Sequence, residues 1–240
     1  MAGIDAGPKR LPPLAPQVGD KLPDVTLSEG AANFGNAPVR APPAWLRAAS
    51  ACARVVVAAP RLTPLPPSPP PLLPPPQVSL RSLFAGKRGI LFAVPGAYTP
   101  TCSKAHLPSY VKESAQLKAL GVDLVCCVAT NDAWVMHAWG EQAGAVGKVR
   151  MLADADGALT KALGQEKVSG VLTRSKRYSM VVVDNTIAAF NEESAGGAEC
   201  TMAGALIASL PAVLAKAPLD PMEAFCASEP SADECRVYSD

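Results

Sequence analysis

Proline decides where this chain can build a core. Thirteen of its 25 prolines lie between Pro38 and Pro76, and ten of those crowd into the run PRLTPLPPSPPPLLPPP that begins at Pro60. Each proline removes a backbone donor and fixes φ, so the run can join neither helix nor sheet. It reads as extended polyproline or disordered chain. Just upstream, Arg40, Arg47, Arg54 and Arg61 recur at seven-residue steps among small apolar side chains. A basic amphipathic segment that binds something would look like this, and so would a low-complexity insert; the biased composition favours the insert. The globular part is therefore split into 17–36 and 77–215, with 37–76 as a proline-rich insert. Residues 1–16 and the Pro- and acid-rich 216–240 are expected to be tails, the second of them mobile.

At 240 residues the chain can bury one good core. A net charge of +1 points to neither nucleic acid nor acidic lipid as the main partner. Apolar runs are interrupted by Gly, Pro or charge well before membrane-spanning length. The first seventeen residues carry no apolar stretch, so no secretory leader is expected. Seven cysteines at irregular spacings do not form a disulfide framework, and His106 and His137 are too few for a usual zinc set. The expectation is a reducing compartment, the cytoplasm by default with an organelle left open, and neither metal nor cofactor.

From Val78 the pattern becomes regular. Residues 89–94 read as a buried strand, 103–120 as a helix that Pro108 should bend, and 122–129 as a second buried strand. Helix 133–142, strand 149–153 and a short helix 157–163 follow. Residues 178–183 and 187–191 flank Asp184-Asn185-Thr186, a hairpin signature, and 202–214 closes with a helix. The order β-α-β-α-β-α-β-β-α predicts an α/β chain, a mixed central sheet with helices on both faces. That is the pattern of a thioredoxin-like fold, a single domain interrupted by the insert.

The chemistry concentrates in Val94-Pro95-Gly96-Ala97-Tyr98-Thr99-Pro100-Thr101-Cys102-Ser103. A cysteine that opens a helix after a strand and turn sits where backbone N–H groups and the helix dipole favour an anion. Thiolate is the nucleophilic form, and a free thiol near pKa 8.5 is only a few per cent ionised at neutral pH. No acidic residue occurs between Glu29 and Glu113, whereas Arg81, Lys87, Arg88 and Lys104 lie in that span. Thr99 is placed to bring its hydroxyl beside the sulfur, and Pro95 and Pro100 stiffen the loop. A buried structural cysteine is the bland alternative. His106 reads as a packing and hydrogen-bonding residue, Trp134 and Trp139 as core or interface, and adjacent Cys126 and Cys127 as facing opposite sides of one strand.

The run Pro95-x-x-x-Thr99-x-x-Cys102 resembles the peroxiredoxin signature. Further blocks follow in order: Cys102 to Pro108, Gly121-Val122, Thr130-Asn131-Asp132, Trp139-Gly140, Lys148 to Asp154 and Arg177-Tyr178-Ser179-Met180. Together they are similar to the type II, atypical two-cysteine branch. The resemblance implies a thioredoxin-like fold and reduction of hydrogen peroxide and organic hydroperoxides, with recycling by thioredoxin or glutaredoxin. It implies Cys102 as peroxidatic cysteine, Thr99 as its hydrogen-bonding partner, Pro95 as pocket shield and Arg177 as the cation beside the sulfur. Arg174 and Lys176 compete for that last role. For the resolving thiol it offers Cys200, near the animal-type position, and Cys127, twenty-five residues after Cys102, at the plant-type position. The Gly-rich loop before Cys200 can move where a strand cannot, which favours Cys200. The insert has no counterpart in the family pattern, and the stretch between Gly164 and Arg174 is short of it. A homodimer is left open. A weakly catalytic redox sensor, or a binding module that uses the proline-rich segment, is the alternative function.

Overall fold

Strict alternation along the central strands sends every second side chain to one of two apolar layers. In the computed structural model, which describes residues 15–30, 75–169, 172–193 and 197–217, β3 (Arg88–Ala93) turns Ile90 and Phe92 to one side and Leu91 and Ala93 to the other. β4 (Leu124–Ala129) does the same with Val125 and Cys127 against Cys126 and Val128. Both strands are buried on both faces, which is why they read as continuous apolar runs.

Seven strands make one sheet in the order β2-β1-β5-β4-β3-β8-β9. β1 (Thr26–Glu29) and β2 (Gln77–Ser79) form an antiparallel edge beside β5 (Arg150–Ala153). β5, β4 and β3 run parallel, and β8 (Tyr178–Val183) and β9 (Thr186–Glu192) return antiparallel. The β8–β9 turn places Asp184 and Asn185 at φ 42° and 61°, the left-handed pair that a two-residue hairpin needs. The sheet is mixed, with helices on both faces. α1 (Leu80–Phe84) and α5 (Ala158–Ala162) cover one face through Leu80, Phe84 and Leu159. α2 (Leu107–Lys112), α4 (Ala133–Gln142) and α6 (Ala203–Lys216) cover the other through Leu107, Tyr110, Met136, Trp139 and Leu206. This is the thioredoxin-like arrangement.

Several elements differ from the sequence expectation. The helix foreseen over 103–120 is three pieces: a wide π-type turn Cys102–His106, α2, and α3 (Ser114–Ala119). The Leu107 N–H reaches back to the Cys102 carbonyl, and Pro108, which has no N–H, falls in the first turn of α2. Proline thus widens the turn before it, and the bend comes at Glu113, with ψ near 7°. The stretch between Gly164 and Arg174 holds a separate hairpin, β6 (Glu166–Ser169) with β7 (Leu172–Ser175). The insert 37–76 lies outside the described residues up to Pro74, as do tail residues 1–14 and 218–240. At its far end Pro76 is already in the edge ladder, its carbonyl accepting from the Glu29 N–H at 2.9 Å.

Candidate functional site

The loop leaving β3 is fixed at four points before it reaches Cys102. Val94 N–H still bonds the Val128 carbonyl of β4 at 3.0 Å. The Arg174 guanidinium then donates to the Pro95 carbonyl at 3.1 Å, and the Ala97 N–H donates to Asn131 Oδ1 at 2.9 Å. The Thr99 hydroxyl donates to the Gly96 carbonyl at 2.9 Å. Arg174 lies across Gly96 so closely that a Cβ there would push the guanidinium off the loop. Tyr98, half exposed, sits at φ 59°, a left-handed conformation that costs a side-chain residue about 1 kcal/mol and persists because the bonds around it over-determine the turn. Asn131 is positioned by its neighbour Asp132, whose carboxylate caps α4 by accepting from Val135 N–H at 2.9 Å. Ser103, next to Cys102, is anchored by a 3.1 Å bond from the indole of buried Trp139.

Cys102 itself is buried in the layer of Phe92, Leu107 and Tyr110. One cation meets it there. Arg177, which precedes β8 and is 6 % exposed, donates from Nη2 to the Cys102 sulfur at 3.4 Å. Its other arm donates from Nη1 to His106 Nδ1 at 2.8 Å, and its Nε–H is buried without a partner. Since guanidinium only donates, His106 Nδ1 must be the acceptor; Nε2–H then donates to the Thr201 carbonyl at 3.0 Å. The imidazole is therefore neutral. Burial pushes its pKa down to about 4, and the adjacent Arg177 charge adds to this against the bond to Thr201. The Thr201 carbonyl also accepts from the Tyr110 hydroxyl at 2.6 Å. Phe92 stacks on Tyr110, ring centroids 3.9 Å apart, and tilts against His106, which makes one wall apolar. Low local polarity strengthens the fixed charge of Arg177 at the sulfur.

The residues singled out from sequence fall as follows. Cys102 and Arg177 are in contact, and Pro95 and Thr99 lie in the loop leading to them. The Thr99 hydroxyl donates to the Gly96 carbonyl rather than to the sulfur, which leaves its oxygen as an acceptor. Arg174 holds the loop, and Lys176 pairs with Glu192 at 2.8 Å. Arg81 donates to the Leu22 carbonyl, and Arg88 starts β3 at the end far from Cys102. Cys127 is buried in the same layer as Cys102, its thiol pushed up first by burial and then by the charge of Cys102. Cys126 faces the opposite layer. Cys200 is exposed, its Sγ 3.6 Å from the Glu192 carbonyl, with its pKa raised by partial burial and by Glu193. Asn131 lies in the block Thr130-Asn131-Asp132 and Arg174 among the basic residues before β8, but no sequence pattern assigns either of them to the Pro95–Ala97 loop or pairs His106 with Thr201. Among the described residues no helix is long and apolar enough to cross a membrane, and no three His, Cys, Asp or Glu side chains gather as a metal set.

The arrangement can bind a small oxygen nucleofuge beside a thiolate, stabilise its developing charge from Arg177, and exclude bulk water. Comparison with known proteins points the same way. The Redoxin family model matches residues 17–206. Peroxiredoxin-2E, chloroplastic, of Arabidopsis thaliana is 42 % identical over 124 residues, 50 % of this chain and 53 % of that protein, so the chain spans about half its length. A peroxiredoxin of Synechocystis is 41 % identical over 153 residues, 60 % of this chain and 80 % of that protein. Among solved structures, reduced Prx3 of Vibrio vulnificus in complex with hydrogen peroxide superposes with a TM-score of 0.62 at 35 % identity, covering 81 % of this chain and 98 % of that one.

Proposed function

This chain belongs to the peroxiredoxin family, and on that premise we propose that it is a thiol-dependent peroxidase whose reacting atom is the Cys102 sulfur. The observation that carries the reading is the 3.4 Å contact from Arg177 to that sulfur inside a buried, mostly apolar site. The thiolate attacks the distal oxygen of a hydroperoxide, and the O–O bond breaks. Its electron pair leaves on the departing oxygen, which takes a proton and departs as water or an alcohol. Cys102 is oxidised by two electrons to sulfenic acid. Arg177 serves both ends of this step: Nη2 favours the thiolate, and the unspent Nε–H is a donor for the oxygen on which charge develops. Thr99 accepts from the peroxide hydrogen, and Pro95 shields the approach.

Sulfenic acid is returned to thiol in two exchanges. A second thiol, Cys200 by preference and Cys127 otherwise, displaces water to form a disulfide; an external dithiol of the thioredoxin or glutaredoxin class then reduces it. The substrates we assign are hydrogen peroxide and small organic hydroperoxides. The compartment is a reducing one, and chloroplastic relatives make an organelle as fitting as the cytoplasm. Peroxide consumption by the full chain with a dithiol reductant tests the reading. Cys102→Ser should leave less than about a tenth of the activity, since a hydroxyl is far less nucleophilic. Arg177→Ala should lower the rate about a hundredfold, the usual effect of losing one such donor. Full activity in Cys102→Ser would sink the assignment.

A further inference from the structure

Glu193 lies just past β9, opposite Arg177, and touches neither Cys102 nor any atom that would meet a peroxide. Its backbone N–H donates to the Arg177 carbonyl at 3.0 Å, continuing the β8–β9 ladder. Its side chain reaches the turn before α6. One oxygen, Oε1, accepts from Glu199 N–H at 2.7 Å, from Thr201 N–H at 2.9 Å and from the Thr201 hydroxyl at 3.0 Å. The carbonyl of that same Thr201 is the acceptor for His106 Nε2–H, and His106 Nδ1 is the acceptor for Arg177 Nη1–H. The bonds close on themselves. Starting from the Arg177 backbone, they run through Glu193, Thr201 and His106 and return to the Arg177 guanidinium.

We propose that Glu193 is a positioning residue for the thiol chemistry: by holding the 199–201 turn it keeps the Thr201 carbonyl on His106, and through His106 it aims Arg177 at the Cys102 sulfur. This rests on Cys102 as the reacting thiol, and it adds the group that orients its cation. Arg177 has a long flexible stem, and the 3.4 Å contact survives only if the fork is fixed from its far side. His106 supplies that fixed point, but a neutral imidazole has no charge to hold it and depends on its own acceptor. Three donors converging on one carboxylate oxygen pin that acceptor. Desolvation opposes the ionisation of Glu193, yet the bonds from Thr201 and Glu199 outweigh it and hold the carboxyl below its ordinary range. The carboxylate is therefore present at neutral pH. The same turn carries Cys200. Any movement that brings Cys200 to Cys102 pulls Thr201 from His106 and releases Arg177 at the stage when the thiolate has already reacted.

The test uses the full chain with Glu193→Ala, Glu193→Gln and Glu193→Asp. Two rates are read at neutral pH by quenched peptide mass spectrometry: oxidation of Cys102 by one equivalent of hydrogen peroxide, and alkylation of Cys102 by iodoacetamide. Alanine removes the acceptor, and both rates should fall about fivefold, a usual coupling within one hydrogen-bond network. Glutamine keeps an acceptor oxygen at the same reach and should stay near wild type. Aspartate keeps the charge but withdraws it by one methylene and should behave like alanine. In a His106→Ala background, Glu193→Ala should change neither rate further. The reverse order of glutamine and aspartate, wild-type rates in alanine, or equal losses with and without His106 would each overturn the proposal. If the alanine variant does not fold, the glutamine and aspartate pair alone decides. Wild-type Cys102 that fails to react with peroxide would instead remove the peroxidase reading, a separate result.

Discussion

His106 works by staying neutral. Its Nδ1 lone pair is what Arg177 binds, so a proton there would remove an acceptor and set two cations against each other. Burial, the larger cause, and the Arg177 charge keep the folded pKa near 4, below the 6.5 of an unfolded histidine. The unfolded chain thus takes up this proton first as pH falls. Stability from His106 is complete above pH 6.5 and is lost as pH drops toward 4. Between pH 7 and pH 5 the loss should be about 2 kcal/mol. Urea unfolding of wild type and His106→Asn at both pH values checks this: the asparagine variant should lack that part of the pH dependence. A constant difference between the two proteins would show that His106 does not titrate on unfolding. The sequence marks this residue poorly, because its partners lie 71 and 95 residues away and follow no periodicity. By contrast, Cys102, Thr99 and Pro95 share one contiguous run, and Arg177 adjoins a strong strand, so they can be read without a structure.

At the scale of elements, what is legible follows apolar content. β3, β4 and β8 are continuous hydrophobic runs and announce themselves, as does the left-handed turn Asp184-Asn185. β1, β2 and the β6–β7 hairpin do not: TLSE and QVS are short and half-polar, with β2 at the sheet edge and β1 beside it, and EKVS is exposed along its whole length. Their strand state comes from ladder partners rather than from local preference. This edge also shows where the insert is attached. Thr26, Leu27 and Ser28 pair antiparallel with Ser79, Val78 and Gln77, and Glu29 bonds Pro76, so the two strands that flank the insert in sequence are neighbours in the sheet. Gly30 packs against His137 and the Ala133 carbonyl, where a Cβ would collide, and should be retained. Replacing residues 31–74 with a short Gly-rich turn should keep the fold. Because each halving of a loop recovers only about 0.6 kcal/mol, the gain should reach about 2 kcal/mol at most. Thermal unfolding of the shortened chain should show an unchanged or slightly raised midpoint. A fall of several degrees would mean that the insert contributes contacts to the domain.

At the scale of the whole molecule the open question is which part of the fold moves after Cys102 is oxidised. A disulfide needs Cα atoms within about 7 Å. Cys127 shares a layer with Cys102, but it sits in an inner strand, paired with Phe92 of β3 and Met151 of β5. Moving it means breaking ladder bonds on both sides and opening the central core. Cys200 is exposed on a turn whose ties among the described residues include the three bonds to Glu193, the contact of its Sγ with the Glu192 carbonyl, and the Thr201 carbonyl contacts. Thr201, His106 and Tyr110 are buried, so their bonds through the Thr201 carbonyl must be given up, but Glu193 is partly exposed and water can replace the bonds it accepts. The turn is the cheaper element to displace, and Cys200 is the expected resolving thiol. One equivalent of peroxide, followed by intact-mass and peptide mapping, should give a Cys102–Cys200 link in wild type and in Cys127→Ser. In Cys200→Ser, Cys102 should stop at sulfenic acid, trappable with dimedone. A Cys102–Cys127 link that survives the Cys200 substitution would move the rearrangement to the central sheet. No intramolecular link in any variant would leave the sulfenic acid to be resolved directly by the external reductant, with the Glu193 turn staying closed throughout the cycle.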